Sequence, residues 1–147
     1  MTDIMLSNED MQYINMANKV TKTDILDCIS TEDKIIFIVK KGQLGAAIGM
    51  KAKNLEKLRG LFKKTIKFVE YDSDKQRFII NLFKPYKINS VILEGEDNSS
   101  VAKVDVSVGD KSKIIGKDGR NIEIIRNLAR RHHGIKDVQI KWKKLKS

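Results

Sequence analysis

A four-residue segment with two glycines carries the side chains best suited to chemistry in this chain. The segment consists of Gly116, Lys117, Asp118 and Gly119, and Arg120 follows it at once. Because glycine reaches backbone angles that other residues avoid, the segment can turn sharply between two helical patterns. The amides that begin the second helix then point outward with partial positive charge, and Lys117 adds a full cation. Asp118 weakens this attraction without abolishing it, so the segment is suited to holding phosphates.

The segment occurs twice. The sequence IGKDGRNIEIIRNL at residues 115–128 has a weaker copy, IGMKAKNLEKLRGL, at residues 48–61. The loop of the first copy reads Gly49, Met50, Lys51 and Ala52, and Lys53 follows it. A unit that recurs at long range predicts two similar modules.

The first loop departs from the second at Ala52, which replaces the second glycine. If φ must be positive there, the methyl group costs roughly 1 kcal/mol of strain. Lys51 and Lys53 partly compensate by placing two cations on the rim. We therefore expect the second loop to hold phosphate more firmly. The first loop either contacts phosphate or is structural, with Gly49 ending a helix.

Both modules have the same predicted order of elements: helix, strand, strand, short helix, loop, helix and strand. The first module spans residues 1–72, with a helix beginning at Ser7, strands at 23–29, 34–40 and 65–71, and helices up to Ile48 and at 53–63. The second spans residues 73–147, with a helix that Pro85 ends, strands at 88–94, 101–108 and 137–143, and helices at 109–115 and 120–133. A run of strands and helices in this order predicts an α+β fold.

Alternation along the second module's strands predicts which side chains are buried. Val104, Val106 and Val108 share one face of their strand, as do Val138, Ile140 and Trp142 of the last strand. Trp142 could stack on a base, but a tryptophan that alternates with valine and isoleucine is expected in the core.

Helical spacing divides the helix that follows the second loop into two sides. Ile122, Ile125 and Leu128 lie on the apolar side, and Arg126 and Arg130 lie near the opposite one. Those arginines either meet a nucleic-acid backbone or are solvated on an exposed face, and we expect the second. Arg120, beside the loop, is the better contact candidate.

The charge of the chain indicates a polyanionic partner. Lys and Arg number 29 against 19 Asp and Glu, for a net charge of +10. Residues 1–72 hold 12 basic and 10 acidic residues and residues 73–147 hold 17 and 9, so the second half carries +8. Such a bias is typical of proteins that meet nucleic acid or an anionic membrane. The sequence has no run of 18 apolar residues, signal pattern or lipidation motif, which favours nucleic acid in the cytoplasm.

Catalytic and metal sites are not expected. The phosphate-binding patterns GxxxxGK[ST] and GxGxxG are missing, and no Ser, His and Asp set stands out. His132 and His133 have no further cysteine or histidine nearby to complete a metal site. Cys28, the only cysteine, lies in an apolar pattern that predicts a buried thiol in a reducing compartment. We expect neither enzymatic activity nor a cofactor.

Each half of the chain resembles a KH domain of the second topological type, in which a GXXG loop joins two helices behind a three-stranded mixed sheet. The resemblance covers nearly the whole chain. It implies that each module clamps the backbone of about four single-stranded nucleotides with its loop and reads base edges along an apolar groove. Gly116 to Gly119 would be the clamp, with Ile115 and Ile122 as groove or core residues.

A tandem of two such modules with little else is similar to the archaeal-type NusA family of transcription termination and antitermination factors. That resemblance implies single-stranded RNA as a ligand, a monomeric protein and contact with RNA polymerase. The alternative is a KH-fold platform for protein interactions, or a ribosomal RNA-processing factor, with secondary RNA binding. Ala52 favours the platform, and the charge of the second half favours RNA.

Overall fold

The computed structural model describes residues 7–96 and 99–142. The chain divides into two compact units, the first ending at Asp72 and the second beginning at Ser73. Each unit is α+β and has six helices and strands in the same order, which confirms the predicted fold class. None of the helices described is long and apolar enough to cross a membrane.

The elements of the first unit are α1 (Asn8–Thr21), β1 (Ile25–Ser30), β2 (Lys34–Val39), α2 (Leu44–Ile48), α3 (Lys53–Phe62) and β3 (Thr65–Glu70). Those of the second unit are α4 (Lys75–Phe83), β4 (Ile88–Glu94), β5 (Val101–Val106), α5 (Lys111–Ile115), α6 (Arg120–His133) and β6 (Asp137–Trp142). In both units the middle strand pairs antiparallel with the strand before it and parallel with the last strand, so the sheets are mixed. The predicted end of the last strand at Lys143 lies outside the described residues.

Side-chain caps begin the first helix of each unit. The Ser7 hydroxyl accepts a hydrogen bond from the Asp10 amide at 3.0 Å, and the Asp74 carboxylate accepts one from the Arg77 amide at 3.3 Å. Such caps satisfy amides that lack a partner within the helix. Each helix begins one residue beyond its cap: α1 begins at Asn8, after the serine that the sequence predicts, and α4 begins at Lys75, after Asp74.

The core of the first unit lies between the sheet and its three helices. Among the described residues, nine buried side chains form it: Ala17, Ile25, Cys28, Ile35, Phe37, Val39, Ala47, Leu58 and Ile66. Cys28 is fully buried, as its apolar surroundings in the sequence predict. Burial of a side chain the size of Leu58 or Phe37 stabilises the unit by about 1.5–3 kcal/mol. The packing of α2 and α3 on this sheet fixes the two helix ends that the first loop joins.

The second unit repeats this arrangement with α6 as its main helix. The predicted apolar side chains Ile122, Ile125 and Leu128 are all buried, and Ile124 is buried with them. At the far end of α6, the rings of His132 and His133 pack against Phe78 of α4, with centroids 5.5 and 5.2 Å apart. The histidine pair therefore contributes to helix packing.

The prediction that Val108 lies on a buried strand face is wrong. β5 ends at Val106, and a 3-10 turn follows at Val108–Asp110, closed by a 3.0 Å hydrogen bond from the Asp110 amide to the Ser107 carbonyl. The turn breaks the alternation, and Val108 is left 44% exposed. It also delays the start of α5 to Lys111, two residues later than the sequence predicts.

The core position predicted for Trp142 is also wrong. Val138 is fully buried and Ile140 half-buried, but Trp142 is 41% exposed. Trp142 pairs with Val106, the last residue of β5, so its ring lies where the sheet ends. There the Lys111 ammonium lies 3.3 Å from the ring centroid, a cation–π contact.

Arg126 joins α6 to the start of β6 and is not merely solvated, contrary to the prediction. Its Nε donates to the Val138 carbonyl at 3.1 Å and lies 3.1 Å from the Asp137 carboxylate. Its Nη1 donates to Glu123 at 2.6 Å. Arg130, by contrast, is exposed and makes one long contact, 3.4 Å to Asn127.

The Arg126→Ala substitution should therefore destabilise the second unit by about 1–2 kcal/mol, because the Val138 carbonyl and two carboxylates lose a charged donor. Arg130→Ala, in the same helix, should change stability by less than about 0.5 kcal/mol. Urea unfolding followed by the fluorescence of Trp142, the only tryptophan, measures both. Equal midpoints for the two variants would contradict this role of Arg126.

Candidate nucleic-acid interface

The second loop joins α5 to α6 within four residues, as the sequence predicts. Gly116 follows α5 with φ 80° and ψ 173°, and a 3-10 turn occupies Lys117–Gly119. Asp118 and Gly119 both adopt the left-handed conformation, with φ of 55° and 72°. The Gly119 amide donates to the Gly116 carbonyl at 3.2 Å and closes the turn. The chain therefore reverses direction and enters α6 at Arg120.

The first loop follows the same backbone path despite its different sequence. Gly49 has φ 83° and ψ 164°, and Lys51 and Ala52 have φ of 53° and 59°. The Ala52 amide donates to the Gly49 carbonyl at 3.0 Å. Ala52 thus adopts the positive φ at which its methyl group costs roughly 1 kcal/mol.

The two glycines of the loop are required for different reasons. The backbone of Gly116 lies in a region with positive φ and extended ψ that is essentially closed to other residues. A Cβ there would also lie 2.8 Å from the Asn121 Cβ and 3.0 Å from the Asn121 amide nitrogen. At Gly119 the nearest atom to an added Cβ is 4.0 Å away, on Ile122. The first glycine is therefore fixed by space and by backbone angles, and the second by backbone angles alone.

This difference explains the sequence of the first loop. A Cβ on Gly49 would lie 3.0 Å from both the amide nitrogen and the side-chain nitrogen of Asn54, so glycine is kept there. The second position adopts the left-handed helical conformation, which other residues visit at modest cost. Ala52 occupies it with the turn intact.

Asn54 and Asn121 each brace one loop by a side-chain hydrogen bond, a role that was not predicted from the sequence. The Asn121 side chain donates to the Ile114 carbonyl at 2.7 Å, and the Asn54 side chain donates to the Ala46 carbonyl at 3.1 Å. Each bond ties the helix after the loop to the helix before it. The signal was present in the repeat, because the two asparagines align when the copies are superimposed.

Exposed charged side chains lie at both loops. They are Lys117, Asp118 and Arg120 at the second loop, and Lys51 and Lys53 at the first. Within residues 7–96 and 99–142, no hydrogen bond or ion pair engages the side chains of the three lysines or of Arg120. They are consequently available to a ligand.

The helices that follow the loops begin without side-chain caps. Neither Gly119, before α6, nor Ala52, before α3, offers a side-chain acceptor, in contrast to Ser7 and Asp74 at α1 and α4. The amides of Lys53 and Arg120 donate to the carbonyls of Met50 and Lys117, and the amides that follow them in α3 and α6 lack the side-chain partner that caps supply. These helix starts would present a favourable dipole to an anion.

The two isoleucines that flank the second loop have different surroundings. Ile122 is buried and belongs to the core, whereas Ile115 is half-buried beside the loop. Ile48, which aligns with Ile115, is likewise half-buried. One apolar side chain next to each loop is therefore within reach of a bound molecule.

Metal ligands do not cluster in this region. Among the residues that the structure describes, no group of three or more His, Cys, Asp or Glu side chains is placed to hold a metal ion. The chemistry that the loops offer is that of backbone amides, cations and adjacent apolar side chains.

Comparisons with protein families match both units. A family described as a KH domain matches residues 12–94, more than half of the chain, and one described as a NusA-like second KH domain matches residues 75–141. A probable transcription termination protein NusA from Methanococcus vannielii is 34% identical over 137 residues, covering 93% of this chain and 79% of the relative. The Halobacterium salinarum protein of the same name is 32% identical over 137 residues, covering 93% and 98%.

A solved structure has the same fold. The crystal structure of APE1850 matches with a TM-score of 0.74 and 32% identity, covering 92% of this chain and all of that one. The repeated loop geometry, the mixed three-stranded sheets and these relatives agree. The chain therefore belongs to the NusA-like family of tandem KH-domain proteins.

Proposed function

We propose that this protein binds single-stranded RNA through the loops of both units, with the second loop contributing more of the affinity. The observation that supports this most directly is the pair of uncapped helix starts. Each follows a glycine turn of the same backbone shape, and each has exposed, unengaged cations beside it. A backbone phosphate supplies the negative charge and the acceptor oxygens that this arrangement lacks.

In the second unit, a phosphate would lie against the turn that Gly116 and Gly119 leave bare. The amides at the start of α6 donate to its oxygens, and Lys117 and Arg120 add charge from the exposed rim. Ile115 offers apolar contact to the adjacent base or sugar. Because the turn is held by Asn121, the donors are positioned before RNA arrives and little ordering is lost on binding.

The first unit provides a weaker version of the same site. Lys51 and Lys53 supply charge, but Met50 stands where the second loop has Lys117. Only residues 71–74 connect β3 to α4. Because both loops belong to one chain, a weak contact at the first loop would add to the affinity of an RNA long enough to reach both.

We propose transcription termination or antitermination as the process, with nascent RNA as the ligand. The support is the name shared by the relatives, probable transcription termination protein NusA. The single buried cysteine fits a reducing cytoplasm. Contact with RNA polymerase belongs to the same proposal, and it is tested by capturing the polymerase with the tagged protein.

A second candidate function is a protein-interaction platform. Met50 favours it, because this apolar side chain is 85% exposed at the tip of the first loop. An exposed methionine at a loop tip is suited to packing against an apolar partner surface. A capture from nuclease-treated and untreated lysate separates the two functions: partners lost with nuclease arrive through RNA, and partners retained arrive through protein contact.

The salt dependence of binding tests the phosphate contacts. If about five phosphates are neutralised, the slope of log affinity against log salt concentration should be about −3.5 for single-stranded RNA. Fluorescence anisotropy of a labelled RNA across a salt series measures it. A flat response would overturn the proposal that phosphates carry the affinity.

Reversal of one loop charge tests the clamp. Lys117→Asp places a second carboxylate beside Asp118 and should weaken RNA binding by about tenfold, equivalent to about 1.4 kcal/mol. Stability should be unchanged, because the Lys117 side chain is exposed and makes no hydrogen bond or ion pair with the described residues. Lys136→Asp is the matched control, since Lys136 is exposed in the same unit outside the loop. Equal RNA affinities for the two variants would remove the loop from the interface.

The two glycines provide a further test. Gly116→Ala forces the added methyl onto Asn121 and should cost about 2–3 kcal/mol of stability, with RNA affinity at least tenfold lower. Gly119→Ala reproduces the backbone of Ala52, should cost about 1 kcal/mol and should retain most of the affinity. Urea unfolding and anisotropy measure the two effects. Equal losses for both variants would contradict the separate reasons assigned to these glycines.

A further inference from the structure

One side of α3 combines exposed cations, an open glycine and an exposed leucine. Lys53, Lys57 and Leu61 follow one another at intervals of four residues, and Gly60 lies beside Leu61. Residues three or four positions apart share one side of a helix, so these four form a continuous surface. We call this surface the α3 strip. It begins at the first residue after the first loop and runs along the helix away from the loop.

The contacts that hold α3 on its unit lie on another side of the helix. Leu58 is fully buried, and Leu55 and Phe62 pack against the same core. Leu61 is 52% exposed although it lies between Leu58 and Phe62 in the sequence. The α3 strip is therefore not needed to fix the helix in place.

The second unit is packed where the α3 strip is exposed. The repeat aligns Leu61 with Leu128, which is 1% exposed, and Lys57 with Ile124, which is also buried. At the same two positions, α3 presents a leucine and a lysine to solvent. A position that is apolar core in one unit is thus an exposed surface in the other, and its leucine is open to a partner.

Gly60 leaves open space in this surface. A Cβ added at this position would meet no atom of the described residues within 4 Å. Glycine is a poorer residue for a helix interior than alanine, and here no internal packing requires it. The missing side chain lets another molecule approach the helix backbone closely beside Leu61.

The cations of the α3 strip are not neutralised within the unit. The side chains of Lys53 and Lys57 are exposed and make no hydrogen bond or ion pair with the described residues. The one carboxylate of α3, on Glu56, lies 3.1 Å from Arg59 and is neutralised by it. Four residues of helix separate the two lysines by about 6 Å along the axis. They present a row of positive charge that leads away from the first loop.

We propose that the α3 strip binds a nucleotide of the RNA adjacent to the one held at the first loop. Lys57 contacts its phosphate, and its sugar and base lie over Gly60 against Leu61. A cation beside an open apolar surface fits a nucleotide, which joins a charged phosphate to a flat base. This inference rests on the proposed function and adds to it a contact outside the glycine turn, made without regard to base identity.

The charge of the α3 strip favours RNA over an apolar protein partner. A protein surface that buries Leu61 would also cover the two lysines beside it, and desolvation of unpaired ammonium groups is costly. A nucleotide supplies a negative charge for the lysines and an apolar surface for the leucine at the same time. The α3 strip therefore matches the chemistry of a nucleotide on both counts.

RNA length separates the α3 strip from the loops. Fluorescein-labelled tetrauridylate, which is short enough to occupy one loop, and dodecauridylate, which extends beyond it, are titrated into the full chain and followed by anisotropy. Lys57→Gln should weaken dodecauridylate binding about threefold and reduce the magnitude of its salt slope by about 0.7, the contribution of one phosphate. Its affinity for tetrauridylate should be unchanged.

Lys19→Gln is the matched control, because it removes the same charge from an exposed position of α1. It should leave the affinity and the salt slope unchanged for both oligonucleotides. Equal dodecauridylate affinities for the Lys57→Gln and Lys19→Gln variants would overturn the proposal.

Gly60→Gln separates binding from folding. Glutamine is the better helix former, so the urea midpoint followed by circular dichroism should rise. The affinity for dodecauridylate should nevertheless fall about threefold, because the new side chain fills the space that the nucleotide needs. A raised midpoint with unchanged affinity would overturn the contact at Gly60.

The same titrations distinguish this proposal from the proposed function. If wild-type protein binds dodecauridylate and Lys57→Gln behaves as Lys19→Gln does, the α3 strip is overturned and the function stands. If wild-type protein binds neither oligonucleotide, both are overturned. A loss with Lys57→Gln but none with Lys117→Asp supports the α3 strip and overturns the second loop as the main site.

Discussion

The contact between a glycine and the asparagine five residues later is the constraint on which both loops depend. At Gly116 the backbone angles and the nearness of Asn121 together exclude any side chain, and Gly49 and Asn54 repeat the arrangement. The asparagine then donates to the last turn of the preceding helix. In each unit, steric exclusion and one hydrogen bond thus hold the helices before and after the loop at a four-residue turn. A change at either member of the pair would disturb the amides at the start of the following helix.

The charge and polarity of the loops follow from that turn. Since the residue before α3 and the residue before α6 have positive φ and no side-chain acceptor, no side chain caps the start of either helix. The cations beside them are exposed and make no ion pairs within the described residues. The two units differ in the side chains placed on the same backbone. Lys117 gives the second loop a cation at the position where Met50 gives the first an apolar group.

Most of the helices, strands and loops could be predicted from the sequence, because the local residue patterns agree with how these elements pack. The repeat, the helix start at Ser7 and the alternation along β5 located nearly every element to within two residues. The predictions failed where a side chain depends on what lies beyond its own element. Trp142 follows the strand pattern, yet the sheet ends beside it, and Arg126 follows the helical pattern, yet β6 offers it a carbonyl and a carboxylate.

Local sequence patterns also could not explain why Ala52 can replace the second glycine in the first loop. Sequence alone indicates that Ala52 departs from the family, but it does not give the distances that make Gly116 irreplaceable and Gly119 replaceable. Those distances depend on where α6 lies against α5. The asparagines, by contrast, were visible as aligned positions, and only their role required coordinates.

The central claim is that RNA is held at the loops, and more firmly at the second. Backbone amide resonances of this 16.8 kDa protein, followed during titration with a short single-stranded RNA, test it most directly. Amides of residues 116–122 should shift first, and those of residues 49–55 should follow at higher RNA concentration. Shifts that spare both loops, or that begin at the first loop, would contradict the account.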